Sequence, residues 1–164
     1  MRVSRRRQLW LPAITGALAA FALGALGALV TELGPWYYAL KKPSWQPPDW
    51  LFGPAWTLIF GLAAVAGVLA WRGTDSRAGH ARILWLFGVN AILNVGWSWL
   101  FFRLHRPDWA LFEVGFLWLS IVALMVGLWP YSKTASWLLV PYLAWVSFAS
   151  VLNLAIVRLN QPFH

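Results

Sequence analysis

Trp109-Ala110-Leu111-Phe112-Glu113-Val114-Gly115-Phe116-Leu117-Trp118-Leu119-Ser120-Ile121-Val122-Ala123-Leu124-Met125-Val126-Gly127-Leu128-Trp129 is a run of 21 residues with one formal charge, Glu113. At a rise of about 1.5 Å per residue it crosses the roughly 30 Å hydrocarbon layer of a bilayer as one helix. It lacks the strict apolar/polar alternation of a membrane β-strand. Four other stretches share its character: Leu9–Leu33, Trp50–Trp71, Ile83–Phe102 and Trp137–Val157. Within all five, the formal charges are Glu32 and Glu113. In hydrocarbon each backbone polar group must be satisfied inside its own segment, so five such runs predict an all-α membrane protein, a bundle of five transmembrane helices.

The composition points the same way. Of 164 residues, 60% are hydrophobic and 11% charged, against roughly 45–50% and about 25% in soluble domains. That excludes an ordinary soluble enzyme and a disordered chain. The net charge of +8 rims the apolar runs, so it reports topology and attraction to anionic lipid, and nucleic acid is not an expected partner. There is no cysteine, hence no disulfide framework and no thiolate chemistry.

The chain divides into a basic segment at 1–8, a membrane domain at 9–160 with a long loop at 34–49, and a tail at 161–164. The first run, at 25 residues, exceeds a signal-peptide core of about 7–15 and reads as a retained anchor. Counting Lys and Arg by side places 8 on the N-terminal side and 5 on the other. The expectation is a multi-pass protein with a cytoplasmic N-terminus and the 34–49 loop outside, in an inner or an outer membrane.

Fourteen tryptophans sort into two groups. Trp10, Trp36, Trp50, Trp71, Trp85, Trp109, Trp129 and Trp137 lie at span ends, where amphipathic rings settle at lipid headgroups. Trp45 lies in the loop, and Trp56, Trp97, Trp99, Trp118 and Trp145 lie inside spans, where an indole N–H seeks a partner. Phe52, Trp56 and Phe60 share one helix face; Tyr142, Trp145, Phe148, Ala149 and Leu152 form another. Asn90, Asn94 and Ser98 make a polar stripe at membrane depth. Two readings stay open for these faces: interhelical contacts worth about 0.6 kcal/mol each, or an aromatic-walled cavity with a few amides, suited to a large planar apolar ligand.

The loop prolines favour an ordered, extended lid. The ridge Gly16, Ala20, Gly24 and Ala28 fits either a contact within the bundle or a dimer seam. His80, His105 and His164 fall outside the spans, in a solvated setting, and no carboxylate pair lies within them, so a conventional acid–base site is not expected. Glu113 is expected to sit at a helix N-terminus, favoured by the dipole.

Three ordered blocks then carry a resemblance. They are Trp36-Tyr37 with Lys42-Pro43-Ser44-Trp45-Gln46-Pro47-Pro48-Asp49-Trp50 and Gly53-Pro54-Ala55-Trp56; Asn94-Val95-Gly96-Trp97-Ser98-Trp99-Leu100-Phe101-Phe102; and Pro141-Tyr142-Leu143-Ala144-Trp145 through Leu152-Asn153. Together they resemble the tryptophan-rich sensory protein family, whose mitochondrial members are called translocator protein or peripheral-type benzodiazepine receptor. The resemblance extends from the first span to Asn160. It implies a five-helix bundle, a homodimer in the lipid bilayer, and a pocket beneath the first loop.

Ligands implied are protoporphyrin and haem-type tetrapyrroles, cholesterol in animal members, and isoquinoline- or benzodiazepine-type drugs; the porphyrin is ligand rather than cofactor, and no metal is implied. Carried over, the pocket comprises Tyr37, Trp45, Trp56, Asn90, Asn94, Trp97, Trp109, Trp145, Ala149 and Leu152. The implied function is a receptor or sensor regulating tetrapyrrole metabolism or a stress response. The alternative is light- and oxygen-dependent porphyrin breakdown, in which Trp56 and Trp145 would be the catalytic pair. A tetrapyrrole or lipid transporter is third, since paired broken helices and acids at span centres are missing. The animal cholesterol motif has tyrosine where this chain has Leu154.

Overall fold

The computed structural model describes residues 33–163 continuously, and before them Gly16, residues 24–27, Leu29 and Thr31. The basic segment 1–8, most of the first span Leu9–Leu33, Ala20, Ala28, Glu32 and His164 lie outside the described residues. In chain order the elements are α1 (Pro35–Ala39), a 3-10 turn (Asp49–Leu51) leading into α2 (Phe52–Arg72), α3 (Arg77–Ser98) prolonged by a π-helical turn (Trp99–Arg103), α4 (Pro107–Leu128), α5 (Lys133–Leu138) and α6 (Val140–Asn160). No strand occurs among the described residues. Four helical stretches there are long and apolar enough to cross a membrane: Asp49–Arg72, Arg77–Arg103, Pro107–Leu128 and Lys133–Asn160. They correspond to the second to fifth spans.

Local chemistry sets the boundaries, and it moves three of them. The third helix begins at Arg77, six residues ahead of the apolar run, because Ser76 Oγ accepts from the Gly79 N–H at 3.0 Å and caps it;. Arg77 and Arg82 therefore belong to the first turns of α3 rather than to a loop. The fifth span is broken at Leu139. Ser132 caps α5 by accepting from the Ala135 N–H at 3.2 Å, and Pro141, which cannot donate, restarts the helix as α6;. The loop expected to be extended throughout contains α1, because Pro35 at its first position presets a helical φ;.

The fourth run forms the centre of the bundle. Leu117, Ile121, Leu124 and Leu128 are 2% exposed or less and recur at i, i+4, i+7 and i+11 on one face of α4;. Phe112 on the same helix is 76% exposed, with Phe116, Leu119 and Val126 also outward. A helix that buries one apolar face and exposes another needs lipid as its outer solvent. In lipid the buried face stabilises through close packing rather than release of water. The α2 C-terminus approaches the α4–α5 turn so closely that a Cβ at Gly73 would run into the Tyr131 backbone.

Gly16 and residues 24–27 are helical. A Cβ at Gly16 would come within 3.3 Å of Val68 Cγ2, and one at Gly24 within 3.7 Å of the Phe60 ring. These two ridge residues thus face α2 of the same chain, which favours the contact within the bundle over the dimer seam. Arg103 donates to the Leu29 carbonyl at 2.8 Å and ties this segment to the end of α3.

Candidate functional site

Two regions of the bundle treat polar groups at membrane depth differently. Between α3, α4 and α6 the side chains of Asn90, Asn94, Ser120 and Tyr142 bond to one another in a connected network. Asn94 Nδ2 donates to the Tyr142 hydroxyl at 3.0 Å, which donates to Asn90 Oδ1 at 3.2 Å. Asn90 Nδ2 in turn donates to Ser120 Oγ at 2.8 Å, and Ser120 donates to the Leu117 carbonyl at 2.7 Å. Tyr142 is 2% exposed. With every member partnered, such a network holds helices in one register.

Between α2, the π turn, α6 and the loop lies a cavity of about 1290 Å³. Flat rings stand on several of its walls, Phe52, Trp56 and Phe60 from α2, Trp97 and Phe101 from the α3 end, and Trp145 from α6, among aliphatic residues such as Val65, Val68, Leu69 and Ile156. Trp56 stacks on Phe60 at 5.2 Å between centroids and 28°, and Trp97 stacks on Phe101 with the same distance and angle. These parallel pairs follow from i, i+4 spacing on one helix face. Phe52 meets Trp145 edge to face at 5.7 Å. Polar groups reach the cavity at Asn94, Ser98 and Asn153. The Trp145 indole N–H is buried and has no partner among the described residues.

The loop closes one end. Tyr37 donates its hydroxyl to Asp49 Oδ1 at 2.8 Å, and Gln46 Nε2 donates to the Tyr37 oxygen at 3.2 Å and to Asp49 Oδ1 at 3.4 Å. All three residues line the cavity. Burial, then the bond to Asp49, pushes the Tyr37 phenol well above its ordinary pKa, so it remains a donor;. Lys42 Nζ lies over the Tyr37 ring at 3.7 Å from its centroid;. Trp36 stacks on His105 at 4.2 Å, and Trp71 on His80 at 3.8 Å. His105 is exposed beside Trp36, as its loop position suggested, whereas His80 lies in the first turn of α3 and is half-buried on the Trp71 indole.

Of the residues expected at the pocket, Tyr37, Trp56, Asn94, Trp97, Trp145, Ala149 and Leu152 line this one cavity. Trp45, Asn90 and Trp109 are not among its lining residues. Asn90 belongs to the network. Trp45 is 47% exposed on the loop, with its edge toward Phe148 at 6.0 Å. Trp109 is 52% exposed beneath the Arg106 guanidinium, 4.3 Å from its ring centroid, and Arg106 is itself bonded to Asp108. Gln46, Asp49, Phe101 and Asn153 also line the wall. Their signal was membership of the quoted blocks, which does not say which side chains face inward.

Asn153 also serves the start of α4, its amide oriented with the nitrogen toward the Pro107 carbonyl and the oxygen toward the Leu111 N–H, each at 3.0 Å;. Glu113, by contrast, lies in the second turn. Its carboxyl oxygens are buried without a hydrogen-bond partner among the described residues, and a Cβ on Gly96 of α3 would be 3.9 Å from Oε1. It is packed against a neighbouring helix instead of capping its own. No cluster of three metal-ligating side chains occurs among the described residues.

A model of the TspO/MBR family matches residues 16–159. The tryptophan-rich protein TspO of Chlorobaculum tepidum is 44% identical over 146 residues, covering 85% of this chain and 89% of that protein. The translocator protein of Sus scrofa is 33% identical over 156 residues, covering 93% and 92%. The tryptophan-rich sensory protein of Cereibacter sphaeroides is 32% identical over 151 residues, covering 92% of each.

Proposed function

The chain belongs to the TspO/MBR family of membrane proteins, and from that premise we propose that it is a receptor binding protoporphyrin-type tetrapyrroles in the cavity beneath the 34–49 loop. The observation that carries this reading is the cavity itself. At about 1290 Å³ it exceeds the roughly 300–1,000 Å³ of sites for drug-sized ligands, as a macrocycle requires. Its walls offer ring faces from Trp56, Trp97 and Trp145 for stacking, each aromatic contact worth about 0.5–1.5 kcal/mol beyond burial. The Trp145 N–H and the Asn94 side chain supply directional groups that orient a largely apolar ligand.

The test is quenching of tryptophan fluorescence by protoporphyrin in detergent-solubilised protein. Quenching saturates at one macrocycle per chain, and Trp56→Ala or Trp145→Ala each weakens binding by about tenfold, as loss of a stacking wall predicts. Unsaturable quenching, or affinities unchanged in both variants, refutes the assignment.

One observation favours a second reading. Trp56 and Trp145 line the same cavity, so a bound, photoexcited porphyrin would have an oxidisable indole on two sides. Illuminated turnover in air above a protein-free control, lost in the dark and in Trp56→Phe/Trp145→Phe, would establish porphyrin breakdown. Equal rates in all samples remove it.

A further inference from the structure

We propose that Asn160 is the latch that holds the 34–49 loop over the cavity, and that it sets how long a ligand stays bound. The inference rests on the porphyrin reading for the second of these and on hydrogen-bond geometry alone for the first. The Lys41 N–H donates to Asn160 Oδ1 at 2.8 Å, and Asn160 Nδ2 donates back to the Lys41 carbonyl at 2.8 Å, across 119 residues of sequence. One side-chain amide thus pairs with both backbone groups of a single residue, as a neighbouring strand would. Asn160 Nδ2 also donates to the Ile156 carbonyl at 2.8 Å, which holds the side chain in that rotamer.

The position of the clasp gives it leverage. Tyr37 and Gln46 both line the cavity, and Lys41 lies between them in sequence, in the middle part of the loop, termed its crest. The Tyr37, Gln46 and Asp49 bonds tie the two feet of the loop to each other. The Trp36 and His105 stack ties its beginning to the turn between α3 and α4. Neither attaches the crest to α6. The Asn160 clasp does so by hydrogen bonds, beside the edge contact of Trp45 with Phe148 and the packing of Tyr37 and Leu40 in one apolar cluster with Leu152 and Ile156.

The chemistry demands asparagine. Aspartate would accept from the Lys41 N–H but turn a second acceptor toward its carbonyl, and alanine provides neither group. Both substitutions release the crest while leaving the apolar face of α6, Val146, Leu152 and Ile156, in place. Asn160 is a positioning residue: it acts on the ligand through the loop.

The experiment uses the full chain in lipid nanodiscs with two readouts: hydrogen exchange at the Lys41 amide without ligand, and the dissociation rate of protoporphyrin. In Asn160→Ala and Asn160→Asp, Lys41 exchange and protoporphyrin dissociation each accelerate by about tenfold, the scale of losing two partly exposed hydrogen bonds. The thermal midpoint falls by only about 3–6 °C, so both variants remain folded under the conditions of the measurement. Leu159→Ala, on the exposed side of the same turn, changes neither rate. Unchanged Lys41 exchange in both Asn160 variants overturns the latch. Faster exchange with unchanged dissociation overturns its role in ligand retention. Failure of the wild type to bind protoporphyrin saturably refutes the functional reading, and the exchange measurement alone then decides the latch.

Discussion

Helices α2 and α4 have nearly the same length and apolar character, yet the bundle uses them oppositely. Along α4, residues from Pro107 to Leu128 present a continuous buried face, with Ile121, Leu124 and Leu128 fully enclosed. Along α2 the buried residues are Ile59, Ala66 and Ala70, while Trp56, Phe60, Gly61 and Val68 border empty volume. On the α3–α4–α6 side the Asn90, Asn94, Ser120 and Tyr142 side chains bond to one another, and the buried Glu113 carboxyl stands apart from them without a partner among the described residues. The α2 side is open, with polar groups left available. Rigidity on one side is what lets the other retain a large cavity without collapse, since packed interiors close voids that nothing props open.

Substitutions can break this division. The largest effect is expected from Ile121→Ala, where truncating a fully buried side chain costs about 2–5 kcal/mol. Thermal unfolding in detergent measures it, and surviving folded protein keeps the protoporphyrin affinity of the wild type. Tyr142→Phe comes next. It leaves the Asn94 donor and the Asn90 acceptor facing each other without the bridging hydroxyl, costing about 1–3 kcal/mol of stability. Because Asn94 also borders the cavity, this variant should weaken protoporphyrin binding modestly as well, which tests whether the network and the cavity share a wall. Trp145→Phe keeps a ring and removes the unpartnered N–H. It should leave stability unchanged and lower protoporphyrin affinity about threefold to tenfold, the scale of one hydrogen bond, read from the quenching titration. The smallest effect is expected from Trp118→Phe. The Trp118 indole donates to Ser147 Oγ at 2.9 Å at the lipid-facing side of α4 and α6, and its loss should cost about 0.6 kcal/mol with no change in ligand binding.

The sequence made the spans legible because lipid imposes length and apolarity on a helix regardless of its neighbours. It located ends less well, because an apolar run does not include the caps: Ser76 and Ser132 extend α3 and α5 into polar sequence. Pro141 interrupts a run that hydropathy alone reads as continuous. The same distinction runs through the site. Asn90 and Asn94 are four residues apart on one stripe, but the 40° between them turns Asn90 to Ser120 on α4 and leaves Asn94 at the cavity edge;. No pattern in the helix itself says where the wall ends. Trp109 came only as a pocket position implied by the resemblance, and Arg106 and Asp108, local in sequence, hold its surroundings at the polar rim of α4. Trp56 and Trp145 were readable because both lie deep inside apolar spans on faces already rich in rings.

The most direct measurement of the central claim is the structure of protoporphyrin-saturated protein in nanodiscs, read as difference density against the ligand-free protein. The account predicts one flat macrocycle between α2, the end of α3 and α6, stacked within van der Waals distance of Trp56, with Tyr37 and Gln46 closed above it. Density confined to the lipid-facing surface beside Trp85 or Trp129, with the cavity unchanged, would contradict it.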